Sequence, residues 1–127
     1  MTNDSQRRTI LLVEDNVDVR ALVKAFLEHA GYSVATAADG IEGLRYYQRN
    51  QSSVLLLLTD VRMPKMNGFD LADRVLGIDS DLPVLLMSGD AWGAHRGLDC
   101  IAKPFPPAEL LKRVKRALSS SGQKVTA

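Results

Sequence analysis

The chain has 127 residues, a length that suits one domain and excludes two domains of ordinary size. Hydrophobic residues make up 46% of it and charged residues 24%, which excludes a disordered chain. With 16 Lys and Arg against 15 Asp and Glu, the net charge of +1 does not indicate a nucleic-acid binder. The single cysteine excludes an intramolecular disulfide, and no apolar run is long enough to cross a membrane. We therefore expect a cytoplasmic single-domain protein without a secretory signal.

Five short apolar runs alternate with segments of helical period. Such runs are typical of strands in a parallel sheet that is buried on both faces. In chain order, they are Ile10–Val13, Ser33–Ala37, Val54–Thr59, Leu82–Met87 and Leu98–Ala102. Repeated strand–helix alternation with right-handed crossovers predicts a doubly wound α/β sheet with helices on both faces.

The first helical segment carries signals at both ends. Asn16 is suited to be its N-cap, and Gly31 is suited to end it. The apolar residues that recur at helical spacing, and that we expect to face inward, are Val19, Leu22, Val23, Phe26, Leu27 and Ala30.

Three further helices are predicted. One begins at Asp39, whose spacing to Glu42 indicates a capping box, and runs to about Arg49. The next follows Gly68, and the last opens at Pro107, a residue that suits a first helical turn. We expect a flexible N-terminus at 1–8, one domain at 9–118 and a flexible tail at 119–127.

The polar residues that follow the strands predict a common cleft, because functional side chains of an open parallel sheet collect at the carboxyl ends of its strands. Strand one ends in Glu14 and Asp15, strand three in Asp60, strand four in Ser88 and strand five in Lys103. Three neighbouring carboxylates repel unless a cation lies between them, and oxygen ligands favour Mg²⁺. Mg²⁺, a nucleophilic carboxylate, a hydroxyl and a lysine are the groups that phosphoryl transfer needs.

Four segments carry a family resemblance: VEDN at 13–16, LLTDVRMPKMNG at 57–68, MSG at 87–89 and AKPF at 102–105. Together, in this order, they resemble the receiver domain of two-component response regulators, over about Thr9 to Leu118. The resemblance implies a flavodoxin-like (βα)5 fold, with a five-stranded parallel sheet in the order 2-1-3-4-5.

The resemblance also implies a metal site and a phosphoacceptor. Asp60 would accept a phosphoryl group from a phosphohistidine. Asp15 and Asp60 would bind Mg²⁺ directly, together with the backbone carbonyl of Arg62, and Glu14 would act through water.

Two further residues are implied to contact the phosphoryl group. Ser88 would be the switch hydroxyl that moves toward it, and Lys103 would form an ion pair with it. The resemblance further implies that the Lys103–Pro104 peptide bond is cis.

The sequence departs from the family pattern in two places. Ser88 and Lys103 are closer in sequence than usual by about two helical turns, so the family's fourth helix should be reduced or absent. Cys100 stands three residues before the lysine, where the family usually has Tyr or Phe, and it is an atypical switch position. Trp92, in the shortened segment, either covers the core there or anchors a partner.

We interpret the chain as a stand-alone phosphorelay receiver that is not an enzyme beyond assisting its own phosphorylation and dephosphorylation. Its expected partners are a sensor histidine kinase or phosphotransfer protein and a downstream protein target, without direct contact to nucleic acid or membrane. The alternatives are a phosphorylation-independent binding module on the same fold and the receiver segment of a hybrid histidine kinase. A haloacid-dehalogenase-type phosphatase is excluded because Arg62 stands where its general-acid Asp should be. An FMN carrier is excluded because residues 14–16 would repel its phosphate.

Overall fold

Five parallel strands form one sheet in the computed structural model of this chain, which describes residues 7–89 and 97–126, with side chains through residue 119. The strands are β1 (Thr9–Val13), β2 (Ser33–Ala37), β3 (Val54–Asp60), β4 (Val84–Ser88) and β5 (Asp99–Ala102). They lie in the order β2-β1-β3-β4-β5. The flavodoxin-like architecture and its strand order are therefore confirmed.

Helices cover both faces of the sheet. They are α1 (Val17–His29), α2 (Gly40–Arg49), α3 (Gly68–Ile78) and α4 (Pro107–Thr126), with a short 3-10 turn at Gln51–Ser53. Alternate residues of β1 show why its apolar run is unbroken. Leu11 and Val13 pack in the core with residues of α2 and α3, whereas Ile10 and Leu12 pack with residues of α1 and α4.

The predicted helix starts are confirmed by their hydrogen bonds. The Asn16 Oδ1 atom accepts from the backbone N–H groups of Asp18 and Val19 at 2.9 and 3.0 Å. Asp39 Oδ1 accepts from the Glu42 N–H at 2.8 Å, and the Glu42 carboxylate in return accepts from the backbone just before Asp39. Each side chain satisfies N–H groups that a helix start leaves without intrahelical partners.

Two residues of the predicted inward face of α1 are exposed, so that part of the prediction was wrong. Leu22 is 55% exposed, because it lies about 100° around the helix axis from the buried Val23, on the solvent side. Ala30 is exposed as well, since it forms the C-cap beyond the last residue of the helix.

The segment between β4 and β5 is short, and the family's fourth helix is shortened or missing, as predicted. Gly89, Gly97 and Leu98, which belong to the described part of this segment, are not helical. Residues 90–96, and with them the expectation for Trp92, lie outside the described residues.

The two predicted tails have different outcomes. Residues 1–6 lie outside the described residues, and the Arg8 N–H donates to the Ser53 carbonyl at 3.2 Å. At the other end α4 continues past Leu118 to Thr126, where we expected a frayed tail. Residues 119–126 contain no proline, and a formed helix extends more readily than a new one starts. No helix in the described part of the chain has the length and apolarity to cross a membrane.

Candidate functional site

The carboxyl ends of the strands bring three acidic side chains together. Glu14 and Asp15 directly follow β1, and Asp60 is the last residue of β3. One carboxylate oxygen from each residue lies within 4.8 Å of the others. Glu14 is 1% exposed and Asp60 is 7% exposed, whereas Asp15 faces solvent. The predicted convergence of these three residues is therefore what the structure shows.

Lys103 supplies the positive charge of this cluster. Its Nζ atom lies 2.7 Å from Glu14 Oε1 and 3.2 Å from Asp60 Oδ2. Burial alone would lower the pKa of Lys103, but the Glu14 hydrogen bond and the Asp60 charge raise it above the ordinary value. Lys103 is therefore protonated at neutral pH and partly neutralises the two carboxylates that it contacts.

Glu14 has a second direct partner. Its Oε2 atom accepts from the Asn16 N–H at 3.1 Å. Burial raises the pKa of Glu14 despite these hydrogen bonds, and the charge of Asp60 raises it further. The resemblance implied that Glu14 acts through water; in the structure its carboxylate contacts Lys103 and the backbone directly.

Backbone contacts fix the end of β3 around the Asp60 carboxylate. Asp60 Oδ1 accepts from the Val61 N–H at 2.9 Å, and the Asp60 carbonyl accepts from the Thr59 hydroxyl at 2.9 Å. A Cβ atom on Gly68 would lie only 2.1 Å from that carbonyl oxygen, so only glycine fits there. The sequence reasoning treated Gly68 as a turn residue and overlooked Thr59, whose position directly before Asp60 on a buried strand was the available signal.

Arg20 is another residue that the sequence reasoning missed. Its guanidinium Nη1 donates to the Glu14 backbone carbonyl at 2.9 Å, and this contact ties α1 to the end of β1. No motif marked Arg20, because an arginine within a helix is most often a solvated residue.

The other strand ends complete the cleft. Ser88 ends β4 and is 1% exposed, and its carbonyl accepts from the Lys103 N–H at 2.7 Å. The Lys103–Pro104 peptide bond, for which the resemblance implied the cis form, is cis. Arg62 lies two residues beyond Asp60, with an exposed side chain.

Cys100 is a half-buried residue of β5. Burial raises the pKa of its thiol, and the charge of Asp99 raises it further, so the group is neutral near pH 7. Its role as a switch position remains a prediction.

The donor set fits a hard divalent cation. All three acidic residues offer carboxylate oxygens, the ligands that Mg²⁺ prefers, and soft ligands do not contribute to this cluster. Three carboxylates and one ammonium leave two uncompensated negative charges when all are ionised, which a divalent ion would balance. The exposure of Asp15 leaves one side of the cluster open to water, which suits an ion that keeps part of its hydration shell.

Comparison with known proteins agrees with this geometry. Residues 10–115 match the family described as "Response regulator receiver domain". The chain is 36% identical over 120 residues to "Uncharacterized transcriptional regulatory protein YcbL" of Bacillus subtilis, covering 89% of this chain and 52% of that protein.

Solved structures show the same likeness. The receiver domain of the hybrid histidine kinase CckA is 35% identical, with a TM-score of 0.78, covering 87% of this chain and 98% of that one. Response regulator protein TrrA of Thermotoga maritima, in complex with Mg(2+)-BeF, is 27% identical, with a TM-score of 0.79 and coverage of 87% and 99%. The chain spans about half the length of the curated relatives that it matches.

Proposed function

Because the chain belongs to the response regulator receiver domain family, we propose that Asp60 accepts a phosphoryl group and that this modification switches contacts with protein partners. The observation that supports the proposal best is the cluster of Glu14, Asp15 and Asp60, whose ligand oxygens lie within 4.8 Å of one another. Lys103 adds a cation to the same cleft, 3.2 Å from Asp60.

In the proposed reaction an oxygen of the Asp60 carboxylate attacks the phosphorus of a phosphohistidine. The O–P bond forms as the N–P bond breaks, and the imidazole nitrogen of the donor keeps the electron pair. Asp15, Asp60 and the Arg62 carbonyl would hold Mg²⁺ directly and Glu14 would hold it through water, and the bound ion would neutralise charge on the phosphoryl oxygens. The TrrA structure, whose title names Mg(2+)-BeF, supports this choice of metal.

Lys103 and Ser88 would bind the transferred group. The Lys103 ammonium already lies at the Asp60 carboxylate and would pair with a phosphoryl oxygen. The Ser88 hydroxyl, at the adjacent strand end, would donate a hydrogen bond to another oxygen. Both interactions favour the dense negative charge that phosphorylation adds.

The partners follow from the same proposal. A sensor histidine kinase or phosphotransfer protein would donate the group in the cytoplasm, and a downstream protein would recognise the modified surface. YcbL is named a transcriptional regulatory protein, but the match covers only 52% of it, so we propose no direct nucleic-acid contact for this chain. The likeness to the CckA receiver supports the alternative that the chain is the receiver segment of a hybrid kinase.

Labelling with a small phosphodonor tests the proposal. The protein is incubated with acetyl phosphate, with Mg²⁺ or with EDTA, and the mass of the intact chain is measured. Asp60→Asn removes the acceptor, and Asp70→Asn, at an exposed residue in the first turn of α3, is the matched control. We expect the mass of one phosphoryl group on the wild type and on Asp70→Asn with Mg²⁺ only, and none on Asp60→Asn.

Two results would contradict the proposal. One is a wild-type protein that stays unlabelled with Mg²⁺ present, and the other is equal labelling of Asp60→Asn. Either result would favour a binding module that works without phosphorylation.

A further inference from the structure

The first residue of α2 touches the loop that follows the phosphoacceptor strand. We call residues 61–67, between Asp60 and α3, the acceptor loop. A Cβ atom built on Gly40 would lie 2.3 Å from the carbonyl oxygen of Met66 and 2.7 Å from its Cβ atom. Real Cβ atoms essentially never come within 3.0 Å of such atoms, so this contact exists only because residue 40 is glycine.

The acceptor loop has a backbone conformation that needs support. Lys65 has a φ of 72°, a region that side chains other than glycine rarely adopt. The Met66 N–H closes a tight turn around Lys65 by donating to the Pro64 carbonyl at 2.8 Å. Beyond the turn, the Gly68 N–H donates to the Val61 carbonyl at 2.8 Å, so the loop is closed on itself.

The Lys65 side chain reaches α2 as well. Its Nζ atom lies 3.6 Å from Asp39 Oδ2, although the side chain is mostly exposed and such a pair contributes little stability. The close contact between Gly40 and Met66 is therefore the main link between α2 and the loop.

α2 is held more firmly than the loop that it touches. A Cβ atom on Gly43 would lie 2.9 Å from Val13 Cγ2, which shows how closely the helix packs on β1. Tyr47, one turn further along, is fully buried in the core. An added group at residue 40 would therefore displace the acceptor loop and leave the helix in place.

We propose that Gly40 is a positioning residue for the metal site: its missing side chain lets α2 hold the acceptor loop where the Arg62 carbonyl can face the acidic cluster. This inference rests on the proposed function, which makes that carbonyl a metal ligand. Gly40 itself contacts neither the metal nor the phosphoryl group, and it acts only through Met66.

The test compares Gly40→Ala with a matched glycine on another helix. Gly77, in α3, has nothing within 4 Å of a built Cβ atom, so Gly77→Ala adds the same methyl group without a contact. Since alanine favours a helix over glycine, Gly40→Ala is made in the Gly77→Ala background to keep the protein folded. Mg²⁺ affinity is measured by titration followed by amide NMR, and the metal-free amide spectra and hydrogen exchange are recorded for each protein.

We expect Gly77→Ala to bind Mg²⁺ like the wild type and the double variant to bind it about tenfold more weakly, as when the groups that orient a ligand are lost. Without metal, amide signals of residues 61–67 should shift and the Met66 N–H should exchange faster, while those of residues 43–49 stay in place. Unchanged affinity and unchanged loop signals would overturn the proposal. Failure of the double variant to fold would overturn it too, because the contact would then serve the whole fold.

The metal-free spectra separate this proposal from the proposed function. If the wild type and Gly77→Ala do not bind Mg²⁺, the metal site is refuted, and Gly40 is then no positioning residue for it. If both bind Mg²⁺ and the double variant binds equally well, only the role of Gly40 is refuted.

Discussion

The ion pairs of Asp99 join the edge strand β5 to α4. Arg113 donates twice to the Asp99 carboxylate, from Nε at 3.1 Å and from Nη2 at 2.8 Å, and Nη2 also reaches the Cys100 carbonyl at 2.8 Å. Arg116 adds a contact of 2.7 Å to the same carboxylate. Because β5 leads directly to Lys103, this network stabilises the edge of the sheet next to the candidate site.

Asp99→Asn keeps the shape of the side chain and removes its charge. The amide oxygen can still accept from the Cys100 N–H, which Asp99 Oδ1 accepts at 3.0 Å. A hydrogen bond to a charged group contributes about 1.5–3 kcal/mol when it is well shielded. The Asp99 side chain is 35% exposed and that of Arg116 is 59% exposed, so solvent screening reduces the gain. We therefore expect the variant to lose about 1–1.5 kcal/mol of unfolding free energy at pH 7.

The pH dependence gives a second, independent check. Burial opposes ionisation of Asp99, but the hydrogen bonds from Arg113 and Arg116 prevail and lower its pKa below 3.8. The stabilisation is therefore complete above pH 3.8 and is lost as the pH falls through the lower pKa of the folded state. The difference between wild type and Asp99→Asn should thus be constant near neutrality and shrink in acid.

Urea unfolding of both proteins, from pH 7 down to the lowest pH at which both remain folded, measures this difference. Arg116→Ala is the control, and its loss should be smaller because its guanidinium is largely in solvent. Equal stability of wild type and Asp99→Asn at pH 7 would refute the reasoning. A difference that grows in acid would refute the assigned cause.

Two further predictions concern single side chains. Lys103→Met leaves the buried Glu14 carboxylate without its 2.7 Å partner, so we expect a loss of about 2–3 kcal/mol in metal-free urea unfolding at pH 7. That loss should shrink in acid as Glu14 takes up a proton, and a loss that grows in acid would contradict it. Asn16→Ala removes the acceptor for two N–H groups at the start of α1 and should lower stability by about 1 kcal/mol in thermal unfolding. An unchanged midpoint would show that water replaces this cap.

Much of the fold could be predicted because its signals are local. The unbroken apolar run of β3 reflects burial on both faces, and the caps at Asn16 and Asp39 act on N–H groups two or three residues away. The exposure of Leu22 could not be predicted, because helical period marks a broad face and only the neighbouring elements decide where burial stops.

Contacts between distant residues were out of reach for the same reason. The partners of Glu14 depend on where Lys103, 89 positions away, places its ammonium. The contact between Gly40 and Met66 depends on how closely α2 approaches a loop that follows another strand. Pattern and spacing place these residues on elements, but tertiary packing decides which atoms meet.

Lys103 connects the stability of the site with its proposed chemistry. The buried Glu14 carboxylate is costly without a cation, and the 2.7 Å contact to Lys103 is what offsets part of that cost. Pairing with a phosphoryl oxygen would draw the same ammonium away from Glu14. In the proposed cycle, then, a divalent ion at the acidic cluster both binds the phosphoryl group and takes over the neutralisation that frees Lys103. This coupling would make phosphoryl binding and metal binding depend on each other through one lysine.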